Sequence, residues 1–206
     1  MKDKQSASDG KPLLTKPAII ARINNTMLQL TDPSIIIEEW QHEDTGTPIY
    51  WKISNTKVGE ALVASTKKGV CFLGFVNGDR SFAFSDLQRR FPASILIEEE
   101  TEWQKEAFDH LNHPEQNLSV HLHLKGTSFQ LNIWKRLMMI PFGGLATYKT
   151  LGSDPRIARA TGAAVGANPV SYIVPCHRAV RSDGSFDRYY WGNNIKTELL
   201  AYEGDG

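Results

Sequence analysis

The amino-acid sequence predicts an α+β fold, with a small N-terminal α/β domain followed by a C-terminal helix-turn-helix domain. Between about residues 50 and 124, short runs rich in β-branched and aromatic residues alternate with helical patterns. After Gly126 helical patterns dominate, and two of them are joined by a short turn containing glycine. We therefore divide the 206 residues into an unassigned N-terminal extension, partly helical or disordered (1–47), an N-terminal α+β domain (48–123) and a C-terminal domain (124–206).

The extension offers one clear pattern, and the first domain opens with a hairpin. PAIIARINNTMLQL (17–30) has apolar residues at helical spacing and predicts a helix that stops at Asp32-Pro33. The signals in 34–48 are mixed and predict no element. EALVAST (60–66) and VCFLGFV (70–76) flank a tight Lys-Lys-Gly turn, which predicts two paired strands.

Strands and helices then interleave up to residue 124. The Thr101 and Gln104 pair forms a capping box, in which each side chain bonds the other residue's backbone N–H, and it predicts the start of a helix. SVHLHL (119–124) alternates as a half-buried strand does. Between the hairpin and these elements, the patterns predict a helix over 81–91 and a strand over 94–98.

The second half is mainly helical. Thr127 with Gln130 repeats the capping box and predicts a helix that ends at the Pro-Phe-Gly-Gly turn (141–144). Asp154 is a good N-cap and Pro155 suits the first position of a helix. The other elements predicted here are a short helix around 147–151, a helix over 155–166 that completes a helix-turn-helix, a short strand over 171–174 and a closing helix over 195–203.

Composition and charge limit the classes of function. No run approaches the roughly 18 apolar residues of a membrane span, and the polar start lacks the apolar stretch of a secretory signal. Two cysteines are too few for a disulfide framework or a four-cysteine zinc site, so we expect a reduced, intracellular location, in cytoplasm or nucleus, without membrane contact. The net charge is zero, yet residues 124–206 hold ten Lys/Arg against six Asp/Glu. That excess is compatible with a C-terminal half that faces phosphates.

Cys176 has the residues of a reactive thiol around it. It stands in Pro175-Cys176-His177-Arg178, and nearby cationic or basic groups favour the thiolate, which is the nucleophilic form. A soft thiolate suits displacement of a group from an sp³ carbon. The alternative is a buried structural cysteine, which is also the interpretation of Cys71 in its apolar run. Because neighbours in a strand point to opposite faces, His177 helps Cys176 only at a bend or through a water.

The predicted helix over 155–166 is slim. Arg156 and Arg159 are its only long side chains, and the rest of its surface is mostly alanine and glycine. Such a helix suits either a close approach to DNA, with an arginine entering the base stack, or close packing inside a core. His121 and His123 share one face of a strand, where a solvated strand face is the favoured interpretation over a weak metal site.

Eight ordered segments resemble the O6-alkylguanine-DNA alkyltransferases (methylated-DNA–protein-cysteine methyltransferases), most closely the C-terminal half of bacterial Ada-type proteins. The resemblance runs from about residue 50 to 204. Its segments are GTSFQLNIWKRLMMIPFG (126–143), ATY (146–148), ARATG (158–162), NPV (168–170), IVPCHR (173–178), SDGS (182–185), YYWG (189–192) and KTELLAYE (196–203).

The resemblance implies a role for each matching residue. Cys176 would accept the alkyl group, with His177, through a water, and Glu203 as the groups that deprotonate it. Asn168 would fix the turn before the acceptor loop, and Tyr189 would donate to guanine N3. Among the DNA-binding residues, Arg159 would fill the gap left by the flipped base and Tyr148 would help to turn the nucleotide out, with Arg156 as the other candidate on that helix. The residues implied to line the guanine pocket are Val174, Ala179, Tyr190 and Trp191.

The implied function is direct DNA repair: an irreversible, stoichiometric transfer of a methyl or small alkyl group from guanine O6 in duplex DNA to Cys176. It implies no cofactor and no metal, with a monomer acting on duplex DNA that contains O6-alkylguanine. One alternative is an alkyltransferase-like lesion-binding protein without transfer, against which the cysteine at 176 weighs; another is a Cys-His-Glu thiol hydrolase. Three departures from the family pattern stand out: a spacing about three residues shorter between Tyr148 and Arg159, Arg188 where glycine is common, and Ala179 where valine is usual.

Overall fold

The computed structural model describes residues 14–30, 32–116 and 118–204. Within them a mixed sheet of six strands has the order β1-β6-β4-β3-β2-β5. Neighbours are antiparallel in the β2-β3-β4 meander and parallel at the other three contacts, so the fold class is α+β, as predicted. The strands are β1 (Ile35–Glu39), β2 (Ile49–Thr56), β3 (Gly59–Thr66), β4 (Gly69–Phe75), β5 (Leu96–Glu98) and β6 (Val120–Leu124).

Tight turns and one close contact determine the centre of this sheet. The predicted hairpin is confirmed as β3 and β4, joined at Lys67-Lys68. Gly69 has φ +148° and lies against β6, where an added Cβ would stand 2.7 Å from the His121 carbonyl oxygen. A side chain at this position would therefore push β4 away from β6. Every residue of β4 is buried, which places it at the centre of the core.

Two helices pack on the N-terminal sheet, α2 (Arg80–Arg90) and α3 (Glu102–Asn112). The Asp79 side chain caps α2 by accepting from two backbone N–H groups. The predicted capping box of Thr101 and Gln104 is confirmed at the start of α3. The Gln104 side chain is fully buried and also donates to the Tyr50 carbonyl at 2.6 Å, so this cap ties α3 to β2.

The C-terminal half contains four described helices and a small parallel pair of strands, β7 (Ala146–Thr147) and β8 (Ala179–Val180). The predicted capping box of Thr127 and Gln130 is confirmed. Trp134 is buried and donates to the Ala164 carbonyl at 2.8 Å, which joins two of these helices. The helices are α4 (Ser128–Leu137), α5 (Tyr148–Gly152), α6 (Ala158–Gly166) and α7 (Asn193–Tyr202).

The N-terminal extension contacts both halves. Helix α1 (Lys16–Asn25) buries Ile19 against Leu145, Val180 and Leu200 of the C-terminal half. From the same helix, the Arg22 guanidinium donates to the carbonyls of Gly143 and Leu200, each at 2.9 Å. β1, in the stretch left unassigned from sequence, pairs with β6. The part of the extension at 1–13 lies outside the described residues.

Several sequence predictions need correction. The helix expected over 17–30 ends at Asn25, because Thr26 turns extended and bonds back to the Arg22 carbonyl. β2 was not predicted. The strand expected over 171–174 is a tight turn in which Tyr172 has φ +72°, and the helix expected over 155–166 starts as a 3₁₀ turn, so that α6 begins at Ala158.

The boundary placed between residues 123 and 124 stays a prediction. One core of buried side chains runs across it, from β3 and β4 to α4 and the residues around Cys176. None of the helices within the described ranges is long and apolar enough to cross a bilayer.

Candidate active site

Cys176 lies at the end of a loop that is held against the sheet. Leu73 of β4 donates to the Pro169 carbonyl at 2.9 Å and accepts from the Ser171 N–H at 3.0 Å. These bonds extend the sheet beside β4 for one residue, opposite Val170. The chain then turns and enters a 3₁₀ turn at Cys176–Arg178. The bend that His177 needs in order to approach Cys176 is therefore present.

Asn168 fixes the shape of this loop with both ends of its amide. Its Oδ1 accepts from the Val170 N–H at 3.0 Å, and its Nδ2 donates to the Val174 carbonyl at 2.8 Å. The same carbonyl accepts from the Cys176 N–H at 2.7 Å. Asn168 is 4% exposed, so neither bond has ready competition from water. One buried amide thus ties together Val170 and Val174, the two ends of the turn that leads to the cysteine.

The thiol lies in a polar but largely dry setting. Cys176 is 6% exposed, and its Sγ lies 3.6 Å from the Tyr189 hydroxyl and 3.9 Å from Ser171 Oγ. The Trp191 indole N–H donates to the same Ser171 Oγ at 2.6 Å. Burial and the adjacent thiol raise the pKa of Tyr189 well above its usual value. Tyr189 is therefore a phenol at neutral pH and retains a proton to donate.

His177 and Glu203 form a buried pair next to the thiol. His177 Nε2 lies 2.8 Å from Glu203 Oε1, and both side chains are fully buried. Arg178 closes the other side of the carboxylate, from Nε to Oε2 at 2.9 Å and from Nη2 to Oε1 at 2.9 Å. Burial opposes ionisation of Glu203, but His177 and Arg178 outweigh it and bring the pKa of the carboxyl to about 2. Glu203 is therefore a carboxylate at neutral pH.

His177 itself is held neutral. Burial lowers its pKa, and the attraction of Glu203 offsets that effect only in part. Its ring stacks on Tyr172, with centroids 5.5 Å apart and planes 7° from parallel. Nδ1 is buried and has no hydrogen-bond partner among the described residues. With Nε2 bonded to a carboxylate, the proton belongs on Nε2 and Nδ1 is left as an acceptor.

A cavity of about 140 Å³ opens onto Cys176. One wall is α6, through Gly162, Val165 and Gly166, and the other is the loop that leads into α7. Lys196 borders it and donates to the Ala179 carbonyl at 2.6 Å, and burial lowers its pKa to about 8. The rest of the lining consists of Tyr148, Asn168, Ser171, Asp187, Arg188, Tyr189, Tyr190 and Trp191.

Helix α6 turns its small residues outward. Arg159, Ala160, Ala163 and Gly166 are exposed, whereas Thr161, Ala164 and Val165 are buried. Close packing of α6 therefore accounts for one face, and the other is a narrow surface free for a ligand. The Arg159 side chain makes no hydrogen bond or ion pair within the described ranges, but Arg156 is paired with Asp154 at 2.7 Å.

The predicted pocket residues divide into two groups. Tyr190 and Trp191 line the cavity, but Val174 and Ala179 do not. The Val174 carbonyl already accepts two bonds, and the Ala179 carbonyl accepts from Lys196. These two carbonyls are therefore occupied inside the protein.

Sequence reasoning missed three supporting residues. Ser171 lies between the thiol and Trp191, and Lys196 borders the cavity. Asp86 of α2, 3% exposed, accepts from the Tyr190 hydroxyl at 2.7 Å. Only Lys196 carried a sequence signal, since it lies within the matching segment KTELLAYE. Across the described ranges, no group of three or more His, Cys, Asp or Glu side chains is placed to hold a metal.

Comparison with known proteins identifies the class. Residues 128–205 match the family model for the 6-O-methylguanine DNA methyltransferase, DNA binding domain. The crystal structure of the O6-methylguanine methyltransferase of Mycobacterium tuberculosis superposes with a TM-score of 0.62 at 27% identity, covering 76% of this chain and 93% of that one. A structure of the M. tuberculosis protein in complex with DNA gives 0.60 at 28% identity, with the same coverage of both chains.

Sequence relatives give the family itself. An inducible methylated-DNA–protein-cysteine methyltransferase of Bacillus subtilis is 36% identical over 167 residues, which are 78% of this chain and 93% of that protein. The bifunctional transcriptional activator/DNA repair enzyme Ada of Escherichia coli is 30% identical over 174 residues, 82% of this chain but 49% of Ada. The chain belongs to the methylated-DNA–protein-cysteine methyltransferase family, and the resemblance seen in the sequence is confirmed.

Proposed function

We propose that this protein repairs DNA directly, by transferring a methyl or small alkyl group from guanine O6 to Cys176. The observation that carries the proposal is the buried thiol of Cys176, which lines a cavity and is followed in the chain by His177, itself bonded to Glu203. In the reaction Sγ attacks the alkyl carbon, the carbon–O6 bond breaks, and its electron pair leaves with the guanine. The proton lost by the thiol ends on the guanine, so atoms and charge balance. The thioether is stable, and each molecule reacts once.

The His177–Glu203 pair prepares the thiolate. A neutral His177 accepts a proton at Nδ1, and the carboxylate behind Nε2 stabilises the imidazolium that results. Because no direct bond joins His177 to Sγ among the described residues, the proton passes through a water. Arg178 keeps Glu203 ionised and in place. Asn168 supports the same step by holding the loop.

The cavity residues act on the guanine. Tyr189, protonated and 3.6 Å from Sγ, donates to guanine N3 as the leaving base gains negative charge. Trp191 and Tyr190 form the wall, with Tyr190 fixed by Asp86. The carbonyls of Val174 and Ala179 are engaged inside the protein and lie outside the cavity lining, so we assign neither of them a contact with the guanine. Val174 supports the loop instead.

The DNA partner approaches along the slim face of α6. The chain binds DNA, and we propose duplex DNA containing O6-alkylguanine as its substrate and a monomer as the acting form. A base inside the duplex must be extruded to reach Cys176, at a cost of a few kcal/mol. Arg159 fills the gap and Tyr148 turns the nucleotide toward the cavity. Arg156 is engaged by Asp154, which leaves it the weaker candidate for insertion.

Mass spectrometry after incubation with an O6-methylguanine duplex tests the transfer. We expect wild type to gain one methyl group on Cys176, and Cys176→Ser to stay unmodified while it still binds DNA. Cys71→Ser is the matched control, because Cys71 is buried in β4 and burial raises the pKa of its thiol, so this variant should react as wild type does.

Two other outcomes would overturn the proposal. Binding of the lesion with no change in mass identifies a lesion-binding protein without transfer. Repeated turnover of a small ester or peptide, in place of a single stoichiometric burst, identifies a thiol hydrolase.

A further inference from the structure

Arg188 adopts a backbone conformation that arginine seldom takes. Its φ is +66°, in the left-handed region that favours glycine. Within the described ranges, the other non-glycine residues with positive φ are Ser153 and Tyr172. Tyr172 stacks on His177, and its conformation belongs to the acceptor loop. A strained residue next to a functional cavity justifies a search for what its side chain does.

The Arg188 side chain lies at the mouth of the cavity and is not engaged there. It borders the cavity that opens onto Cys176, and its side chain is 86% exposed. The nearest carboxylate, Asp187, stands 4.0 Å from Arg188 Nε and is itself paired with Arg181 at 2.8 Å. Arg188 makes no hydrogen bond to any described residue that would occupy its donors. Five N–H donors are therefore available to a ligand at the mouth.

The α6 residues that line this cavity indicate which ligand passes its opening. Gly162, Val165 and Gly166 of α6 line the same cavity as Arg188, and Arg159 lies on the exposed side of the same helix. A strand that runs along α6 and sends one nucleotide into the cavity must carry that nucleotide's phosphates across the mouth. Asp187 is already paired with Arg181, which leaves the exposed Arg188 guanidinium without a close carboxylate partner.

We infer that Arg188 binds a backbone phosphate of the strand that carries the extruded nucleotide, and so favours guanine held in DNA over free guanine derivatives. A guanidinium matches a phosphate with two parallel hydrogen bonds, which an exposed lysine would not reproduce. Glycine would remove the backbone strain at this position but would leave the mouth without a cation. The inference rests on the proposed function, since it assumes that a nucleotide enters this cavity.

The test compares duplex and free-base substrates in wild type and three variants: Arg188→Gly, Arg188→Gln and Arg188→Lys. Transfer is followed with an O6-methylguanine duplex and with O6-benzylguanine as the free base, and duplex affinity is measured from low to high salt. For the Gly and Gln variants we expect roughly threefold to tenfold weaker duplex binding and a salt dependence reduced by about one counterion. Reaction with O6-benzylguanine should fall much less than reaction with the duplex, and Arg188→Lys should retain the salt dependence of duplex binding.

Two matched controls separate charge from backbone strain. Ser153 has the same left-handed conformation (φ +60°) but lies outside the cavity lining. Ser153→Gly should therefore change the melting temperature as Arg188→Gly does. It should leave the salt dependence of duplex binding unchanged. Arg80→Gln on α2 removes one exposed charge, which is paired with Glu60 of β3, and should likewise leave the salt dependence of duplex binding intact.

Two results would overturn the inference. An unchanged salt dependence in Arg188→Gln excludes the phosphate contact. Faster reaction with O6-benzylguanine in Arg188→Gly would instead make Arg188 a steric barrier at the mouth. If wild type transfers from neither substrate, the proposed function fails, and the salt dependence of duplex binding still reports on Arg188 alone.

Discussion

Replacing Asn168 with alanine tests how the acceptor loop is held. The substitution removes the bond from the Val170 N–H to Oδ1 and the bond from Nδ2 to the Val174 carbonyl. The Val174 carbonyl keeps its bond from Cys176, but the Val170 N–H is left buried without an acceptor. An orphaned buried donor costs about 1–3 kcal/mol, and the second bond contributes about 1 kcal/mol. The free energy of unfolding should therefore fall by about 2–4 kcal/mol.

The melting temperature and the transfer rate of Asn168→Ala both measure the effect of the lost bonds. For a chain of this size that loss corresponds to a melting temperature lower by roughly 5–15 °C. The transfer rate should fall together with it, for duplex and free-base substrates alike, because the released loop carries Cys176 and a misplacement of about 1 Å costs about a hundredfold in rate. DNA affinity should change little, because Asn168 is buried and lies outside the exposed face of α6.

Asn77→Ala is the matched control for Asn168→Ala. The Asn77 side chain also uses both ends of its amide, but it is exposed. Its Nδ2 donates to the Trp191 carbonyl and to Asn194 Oδ1, each at 3.2 Å, and its Oδ1 accepts from Asn194 Nδ2 at 2.9 Å. Water can replace hydrogen bonds at an exposed side chain, so Asn77→Ala should lower the free energy of unfolding by less than about 1 kcal/mol. If both variants melt together and transfer at the same rate, the loop is held by its backbone bonds to Leu73 and the reasoning about Asn168 is wrong.

Two further predictions concern DNA and pH. Arg159→Ala should slow transfer from duplex DNA far more than from O6-benzylguanine, because a free base leaves no gap to fill. Arg156→Ala is the control and should leave the ratio of the two rates near that of wild type. An unchanged ratio in Arg159→Ala would exclude insertion of Arg159 into the duplex. The pKa of Glu203 is about 2 in the folded protein, below the value of about 4.5 in the unfolded chain. The ionised carboxylate therefore stabilises the fold fully above pH 5, and this stabilisation is lost as the pH falls toward 2. In urea titrations across that range, wild type should therefore lose on the order of 3 kcal/mol more than Glu203→Gln, and parallel losses would show that the Glu203 pKa is not depressed.

The parts of the fold that the sequence predicted well are those encoded by neighbouring residues. The capping boxes at Thr101 and Thr127 involve residues three apart and are present as expected. The hairpin of β3 and β4 follows from a two-residue turn between β-rich runs. In each case the interaction that forms the element is complete within a short stretch of chain.

The missed elements depend on distant partners. β1 pairs with β6, from Ile35 opposite Val120, so its stability comes from residues far along the chain. The apolar run 171–174 reads as a strand, but Asn168 and Leu73 bend it into a turn. Asp86 gave no sequence signal, because it meets Tyr190 only when α2 packs on the cavity loop. Such contacts are properties of the folded chain.

A transfer that occurs once per molecule explains why the acceptor site can be so closed. An enzyme that turns over must release a product from its nucleophile and readmit substrate. Here the alkyl group stays on Cys176, so the site needs only to admit one base, and the thiol can remain 6% exposed beside a fully buried His177 and Glu203. Burial then favours the reaction, since it keeps His177 neutral and shields the thiol from bulk water. The motion that the reaction requires falls on the DNA, and the two residues that we propose to contact the displaced nucleotide's surroundings, Arg159 and Arg188, are accordingly exposed.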